Sequence, residues 1–163
     1  MADVLQSIRE RFGDQVLTEA PRGTPPTIDV RRDRIVDLLR FLRDDPGASF
    51  DCLLDLCGVD HLDRGAPARF AVVYHLFSFT HRRLLRVRAW VPEEDPGIDT
   101  VSGVWPGADW AEREAFDMYG IRFRGHPNLV RILLPESYEG HPLRKDYPLA
   151  GRGERDRFPR YIP

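Results

Sequence analysis

Long apolar runs and cysteines are the scarcest features of this sequence. No stretch of its 163 residues approaches the roughly 20 apolar residues that span a bilayer, so we expect no direct membrane span. Cys52 and Cys57 are its only cysteines. Residues five apart on a strand point to opposite faces, which predicts neither a disulfide nor a shared metal site. The first residues also lack the apolar segment of a secretory signal.

The sequence gives no support to several classes of ligand. The formal net charge of -2 provides no overall attraction to nucleic acid, and the basic residues near the end are mixed with acids. No Gly-x-Gly-x-x-Gly motif, P-loop or cysteine cluster for iron–sulfur ligation occurs. We therefore expect no cofactor in this chain and no nucleic-acid partner.

The first ninety residues predict an α+β fold with two layers. Apolar residues line one face of a helix predicted over residues 33–44, and a shorter helix precedes it. Apolar patterns bounded by turn residues predict strands at residues 15–18, 27–30, 50–60, 69–78 and 83–91. The last three should form an antiparallel meander in a mixed, mainly antiparallel sheet, packed against two to three helices. We assign residues 1–105 to this α/β core domain.

The sequence changes in character after residue 105. Asp109 and Glu112 have the spacing of a capping box, which predicts a short helix that ends at Tyr119, with Gly120 directly after it. Frequent prolines then exclude a long helix or a central strand from residues 121–163, which we call the C-terminal arm. We assign residues 106–163 to this helix and the long, extended arm.

The C-terminal arm contains too many apolar residues for a disordered tail. They are Leu129, Ile132, Leu133, Leu134, Tyr138, Leu143, Tyr147, Leu149, Phe158 and Tyr161. Disordered segments have low hydrophobicity, so this composition predicts a segment that packs on a surface. We find no pattern that pairs it with its own domain. We therefore expect it to dock on a neighbouring protein, and to exchange its amide protons rapidly when the chain is isolated.

Two acids and two histidines raise the alternative of an enzyme site. Glu114 and Asp117 lie close together on the short helix, and a carboxylate pair can act as general acid and base. His126 and His141 each stand between Gly and Pro, and they could join these acids at a metal. No Cys-x-x-Cys or His-x-x-x-His pair accompanies them. The structural alternative is that the acids bind arginines of the C-terminal arm, such as Arg131.

An ordered series of residues resembles one protein family. The series consists of Glu112-Arg113-Glu114, Asp117, Gly120, His126-Pro127, Leu129, Arg131-Ile132-Leu133 and the run from Gly140 to Leu149. It closely resembles the C subunit, of the 30 kDa subunit family, of bacterial respiratory complex I, the proton-pumping NADH:quinone oxidoreductase. The resemblance implies a cofactor-free subunit of the peripheral arm of that complex. Such a subunit supports assembly and electron transfer from NADH to quinone, with FMN and iron–sulfur clusters in partner subunits.

The resemblance also implies partners, a location and interface residues. The chief partners would be the large quinone-site subunit and the iron–sulfur subunit that holds the terminal cluster, at the cytoplasmic face of the bacterial inner membrane. The residues implied at the interface are Glu112, Arg113, Glu114, Asp117, His126, Arg131, His141, Arg144, Lys145 and Asp146. Relatives of the domain occur in membrane-bound hydrogenases and coenzyme F420 dehydrogenases, and the equivalent subunit of such an enzyme is one alternative. A stand-alone metal-assisted hydrolase is the alternative from another class.

We predict that the purified chain shows no flavin or iron absorbance, because its sequence contains no pattern that would hold either group. Absorption spectroscopy and metal analysis of the isolated protein check this expectation. A coloured preparation would contradict it.

Overall fold

The computed structural model describes residues 2–13, 16–20 and 25–153. Its helices are α1 (Ala2–Phe12), α2 (Ile35–Asp44) and α3 (Ala108–Tyr119). Its strands are β1 (Val16–Ala20), β2 (Thr27–Arg31), β3 (Cys52–Asp60), β4 (Phe70–Ser78), β5 (Arg83–Val91), β6 (Gly97–Asp99) and β7 (Arg122–Arg124). None of the helices in these described ranges is long and apolar enough to cross a membrane.

The strands form one large sheet and one small sheet. The five-stranded sheet has the order β1-β2-β5-β4-β3, and β6 pairs with β7 in a separate two-stranded sheet. Within the large sheet the β2–β5 pair is parallel, while β3, β4 and β5 form an antiparallel meander. The predicted mixed, mainly antiparallel sheet is therefore confirmed. As its continuous apolar pattern indicates, β4 lies between two neighbours inside the sheet.

The apolar core lies between the helices and one face of the large sheet. The predicted apolar stripe of α2 is confirmed, since Ile35, Leu38, Leu39 and Leu42 are all buried. Alternate residues of β4 and β5 join this core, for example Val72 opposite Ala89. Side chains from all three helices contribute to the same core. This is the two-layer α+β arrangement that the sequence predicts.

The two cysteines lie on the same face of the sheet, so the prediction of opposite faces is wrong. The register of β3 against β4 shifts between Leu53 and Asp55. Such a bulge inserts one extra residue, which reverses the alternation of faces beyond it. As a result Cys52 pairs with Phe77 and Cys57 with Val73, four residues apart on β4. That spacing is roughly 13 Å along a strand, too far for a disulfide, and both cysteines are free.

The C-terminal arm begins with the short strand β7, which the sequence did not predict. It pairs in parallel with β6, with Gly97 opposite Arg122. This pairing joins residues from both sides of the predicted division at 105/106. No helix or strand follows β7 in the described part of the arm, up to Gly153. The predicted arm residues from 154 to 163 lie outside the described residues.

The C-terminal arm packs against its own domain where α3 ends. Gly120 follows α3 in the left-handed conformation, with φ of +75°. A Cβ atom at this position would lie 2.6 Å from Nη2 of Arg144 and 2.6 Å from Nε2 of His141. The expectation that the arm has no surface in its own domain is therefore wrong. The same contacts oppose rapid amide exchange from His126 onward.

We predict that Gly120→Ala lowers the free energy of unfolding by about 2 kcal/mol or more, because it adds a steric clash to backbone strain. Urea unfolding of the purified variant measures this change. The matched control is Gly65→Ala, where φ is +62° but no atom lies within 4 Å of the added Cβ. Its cost should be about 1 kcal/mol, from strain alone. Equal losses in the two variants would refute the close packing of the arm at Gly120.

Candidate functional site

The start of α3 differs from the predicted capping box. The helix begins at Ala108 after Gly107, and no side chain caps it. Because the helix starts earlier than predicted, Glu112 lies beyond the first turn and points into the protein. Its carboxylate accepts the N–H of Val101 at 2.7 Å and contacts the hydroxyl of Thr100. Glu112 therefore holds the connector before α3 against the helix.

Glu112 is a buried carboxyl group without a cationic partner in its described hydrogen bonds. Its side chain is 0% exposed, and its partners Thr100 and Val101 are uncharged. Burial raises the pKa of Glu112 from its ordinary 4.5 to about 7, against the opposing effect of these two hydrogen bonds. Removing a carboxylate from water without a compensating charge favours its protonated form.

Asp117 is the carboxylate that holds the first part of the C-terminal arm. Its side chain is fully buried. One oxygen, Oδ2, accepts three consecutive backbone N–H groups, those of Ile132 at 3.0 Å, Leu133 at 2.8 Å and Leu134 at 2.9 Å. The other oxygen accepts Nη1 of Arg131 at 2.6 Å. The alternative in which an acid of α3 binds an arginine of the arm is confirmed for this pair.

The protonation of Asp117 follows from these bonds. Burial opposes its ionisation, but the bonds from Arg131 and three backbone N–H groups outweigh burial and hold the pKa of Asp117 below its ordinary value. A carboxylate that accepts several N–H groups is strongly favoured in its charged form. Because its oxygens are occupied by its own chain, Asp117 is not placed to act as a general base.

The C-terminal arm also satisfies the last backbone carbonyls of α3. Gly120 donates its N–H to the carbonyl of Phe116. The next three carbonyls accept groups from the arm: His141 Nδ1 binds Asp117 O at 2.9 Å, Leu143 N binds Met118 O at 3.1 Å, and Arg144 Nε binds Tyr119 O at 2.7 Å. The four carbonyls that a helix leaves unpaired at its end thus all have donors.

The two histidines are engaged within the chain. His126 Nδ1 accepts the N–H of Asn128 at 3.0 Å, so Nε2 carries the proton and donates to Asp109 O at 3.2 Å. At His141, burial and the nearby guanidinium groups of Arg144 and Arg131 lower the pKa, against the bond to the carbonyl of Asp117.

The residues of the hydrolase alternative do not form a metal cluster. The described residues contain no group of three or more His, Cys, Asp or Glu side chains that could hold a metal ion. Asp117 is buried beneath the C-terminal arm, whereas Glu114 is exposed. The two acids therefore do not act as one carboxylate pair.

The outer surface beside α3 exposes apolar side chains. Trp110 is 62% exposed and Leu133 is 61% exposed. The guanidinium of Arg113 stacks on Trp110, with Cζ 5.0 Å from the ring centroid, and donates to the carbonyl of Val130 at 3.1 Å. We call Trp110, Val130 and Leu133 the apolar ridge. Trp110 was not among the residues predicted from the sequence, although an isolated tryptophan among the charged residues of a helix was a usable signal.

The last three predicted interface residues meet the end of the large sheet. Lys145 donates its backbone N–H to Asp60 at 2.8 Å, and Asp146 accepts Nη2 of Arg69 at 2.6 Å. Arg144 lies over the ring of Phe70. No local pattern connects Asp60 or Arg69 with the C-terminal arm, since both precede it by more than fifty residues.

The ten predicted interface residues thus divide into internal and exposed groups. Glu112 and Asp117 are fully buried, so neither presents its side chain to a partner. Glu114, Lys145 and Asp146 are exposed. The interface role of the set stays a prediction, and for the two buried acids it can only be indirect.

Comparison with known proteins identifies the family. Residues 28–153 match the model of the respiratory-chain NADH dehydrogenase 30 kDa subunit. The chain belongs to this family. The NADH-quinone oxidoreductase C subunit of Roseiflexus sp. (strain RS-1) is 51% identical over 149 residues, which cover 91% of this chain and 84% of the relative. The C subunit of Citrifermentans bemidjiense is 46% identical over 144 residues, covering 88% and 87%.

Solved structures show the same fold. A trypsin-resistant fragment of Nqo5 superposes with a TM-score of 0.68 and 33% identity, over 78% of this chain and 98% of the fragment. A chain of the archaeal membrane-bound sulfane sulfur reductase has a TM-score of 0.75 and 22% identity, over 99% of this chain and 94% of its own length. The second likeness concerns the fold alone. All residues that bind the C-terminal arm to the rest of the domain lie within the range 28–153 that matches the family.

We predict that Glu112→Gln stabilises the protein at pH 8.5 but changes its stability little at pH 5. The folded-state pKa lies above the unfolded value, so wild-type stability falls as pH rises from about 4.5 to about 7. Glutamine keeps both hydrogen bonds without a charge. The gain at pH 8.5 should be about 1 to 3 kcal/mol.

Urea unfolding at both pH values measures this gain. Glu114→Gln, at an exposed position of the same helix, is the control and should give no pH-dependent difference. Equal destabilisation by Glu112→Gln at pH 5 and pH 8.5 would exclude a protonated Glu112.

Proposed function

We propose that this chain is a cofactor-free subunit of the peripheral arm of a proton-translocating NADH:quinone oxidoreductase, and that it works by docking on partner subunits. Its family membership and its identity of about half with a relative named as the C subunit of NADH-quinone oxidoreductase support the assignment. In this role the chain supports assembly and electron transfer from NADH to quinone without a catalytic centre of its own.

The observation that carries the docking role is the apolar ridge beside a firmly held backbone. Trp110 and Leu133 are large and exposed, while the backbone of residues 132–134 is bonded to buried Asp117. Aromatic side chains on a rigid surface lose little conformational freedom on binding. Exposed tryptophans of this kind are frequent among the residues that contribute most to protein interfaces.

The partners we propose are the large quinone-site subunit and the iron–sulfur subunit that holds the terminal cluster. FMN and the iron–sulfur clusters lie in partner subunits in this proposal, and the chain is a peripheral protein at the cytoplasmic face of the bacterial inner membrane. The exposed charges of Glu114, Lys145 and Asp146 would form the polar rim around the ridge, as is common at protein interfaces.

The choice among related complexes rests on sequence identity. The sulfane sulfur reductase chain shares the fold at 22% identity, which does not select an electron donor. The identity of 51% with the C subunit of Roseiflexus favours NADH and quinone over a hydrogenase-type or F420-type complex. No observation favours the hydrolase.

We predict that Trp110→Ala reduces the yield of assembled complex while leaving the isolated chain folded. Loss of a buried interface tryptophan typically costs about 2 kcal/mol or more, which corresponds to a roughly 30-fold weaker association. Affinity purification of the tagged chain from a strain lacking the wild-type copy, with quantification of the bound subunits, measures this yield.

The matched control is Phe79→Ala. Phe79 is 64% exposed, close to the exposure of Trp110, but lies after β4, outside α3 and the C-terminal arm. This variant should assemble at the wild-type level. If both variants assembled equally well, the apolar ridge would not be the docking surface.

A further inference from the structure

Asp60 lies at the end of β3, and its side chain is fully buried. Its Oδ1 accepts the N–H of Leu62 at 2.9 Å and Nε of Arg69 at 3.3 Å. Its Oδ2 accepts Nη2 of Arg69 at 3.1 Å and the N–H of Lys145 at 2.8 Å. Four donors therefore surround this carboxylate, and one of them comes from the C-terminal arm.

The ionisation of Asp60 is consistent with this arrangement. Burial opposes it, but the bonds from Arg69, Lys145 and Leu62 hold the pKa of Asp60 below its ordinary value. A buried carboxylate needs such donors, because an unpaired charge inside a protein is strongly unfavourable. The N–H of Lys145 is thus one of the groups that make burial of Asp60 possible.

Arg69 extends this contact to a second residue of the arm. Its side chain is 7% exposed, and it binds Asp60, Glu93 and Asp146. Glu93 and Asp146 are both 51% exposed. Glu93 belongs to the segment after β5, whereas Asp146 belongs to the C-terminal arm, so one arginine joins the sheet to the arm.

This contact is separate from the one at Asp117. Asp117 holds residues 131–134 through its own arginine, Arg131. Asp60 holds residues 145–146 through Arg69. The two carboxylates share no donor among the described hydrogen bonds.

We propose that Asp60 and Arg69 are positioning residues that anchor the C-terminal arm at Lys145 and Asp146, independently of Asp117. This second anchor sets the path on which the chain leaves the domain after Tyr147. The anchor is a property of the isolated chain, and only its effect on assembly rests on the proposed function.

A simpler role for Asp60 and Arg69 is to stabilise the connection between β3 and β4. Both residues flank that connection, and Asp60 also accepts the N–H of Leu62 within it. In that case Asp146 would be an incidental surface partner of Arg69, and its loss would not affect the backbone of the arm. The amide of Lys145 separates the two roles, because it is bonded to Asp60 and belongs to the arm.

The test is amide exchange of the isolated full chain, followed residue by residue by NMR at neutral pH. Asp146→Asn removes the ion pair with Arg69 at an exposed position, so the variant should fold. We expect exchange at Lys145 to accelerate at least 10-fold, while the amides of residues 132–134 change less than 2-fold. Asp117→Asn should give the reverse pattern.

Glu93→Gln is the matched control for Asp146→Asn. It removes an equally exposed acid from the same arginine but does not touch the arm. It should leave exchange at Lys145 within 2-fold of wild type. Fast exchange at Lys145 in the wild-type chain, or equal effects of the two substitutions, would overturn the second anchor.

Assembly provides a separate readout. In affinity-purified complex, Asp146→Asn should lower the yield of assembled subunits at least 3-fold, and the turnover of the complex that remains should stay near wild type. Glu93→Gln should assemble normally. Equal yields would overturn the anchor's role in assembly, whereas the docking role of the chain is tested by the separate Trp110→Ala comparison.

Discussion

The end of α3 leaves four backbone carbonyls that its own helix cannot satisfy. Here Gly120 donates to the first, and His141, Leu143 and Arg144 donate to the other three. Because an unpaired buried carbonyl is costly, these bonds fix where the C-terminal arm lies. The left-handed Gly120 allows this close approach, since a side chain there would collide with His141 and Arg144. The surface offered to a partner depends on this single junction.

Buried carboxylates are used in two ways around the junction. Asp117 and Asp60 each combine backbone N–H groups with an arginine, so they stay charged and bind distant parts of the chain together. Glu112 has a hydroxyl and a backbone N–H but no cation among its described hydrogen bonds, and burial raises its pKa to about 7. The first arrangement gives directional attachment of the arm, because it needs several donors in one geometry. The second holds the connector before α3 against the helix.

These contacts change the physical picture of docking. A disordered strap would lose conformational entropy when it binds, whereas an arm already bonded to its own domain has lost that entropy during folding. The apolar ridge is consequently presented on a backbone that Asp117 and Arg113 hold in place. A preformed surface of this kind favours specificity for one partner geometry.

Periodic elements were predicted well because their signals are local. The stripe of α2, the meander of β3 to β5 and the glycine after α3 follow from spacing alone. Two local predictions failed for identifiable reasons. An extra residue in β3 placed Cys52 and Cys57 on one face, and an earlier helix start turned Glu112 inward. Bulges and helix starts depend on neighbouring segments, so spacing does not reveal them.

By itself the sequence determined the α+β class, the core stripes, the position of the helix before the arm and the ordered residues that mark the 30 kDa subunit family. Only the tertiary structure decided that Asp117 binds the amides of residues 132–134, and that Asp60 binds Lys145 across 85 positions of the chain. The physical reason is that apolar periodicity is a property of one segment. The partners of a buried charge are set by which segments the fold brings together.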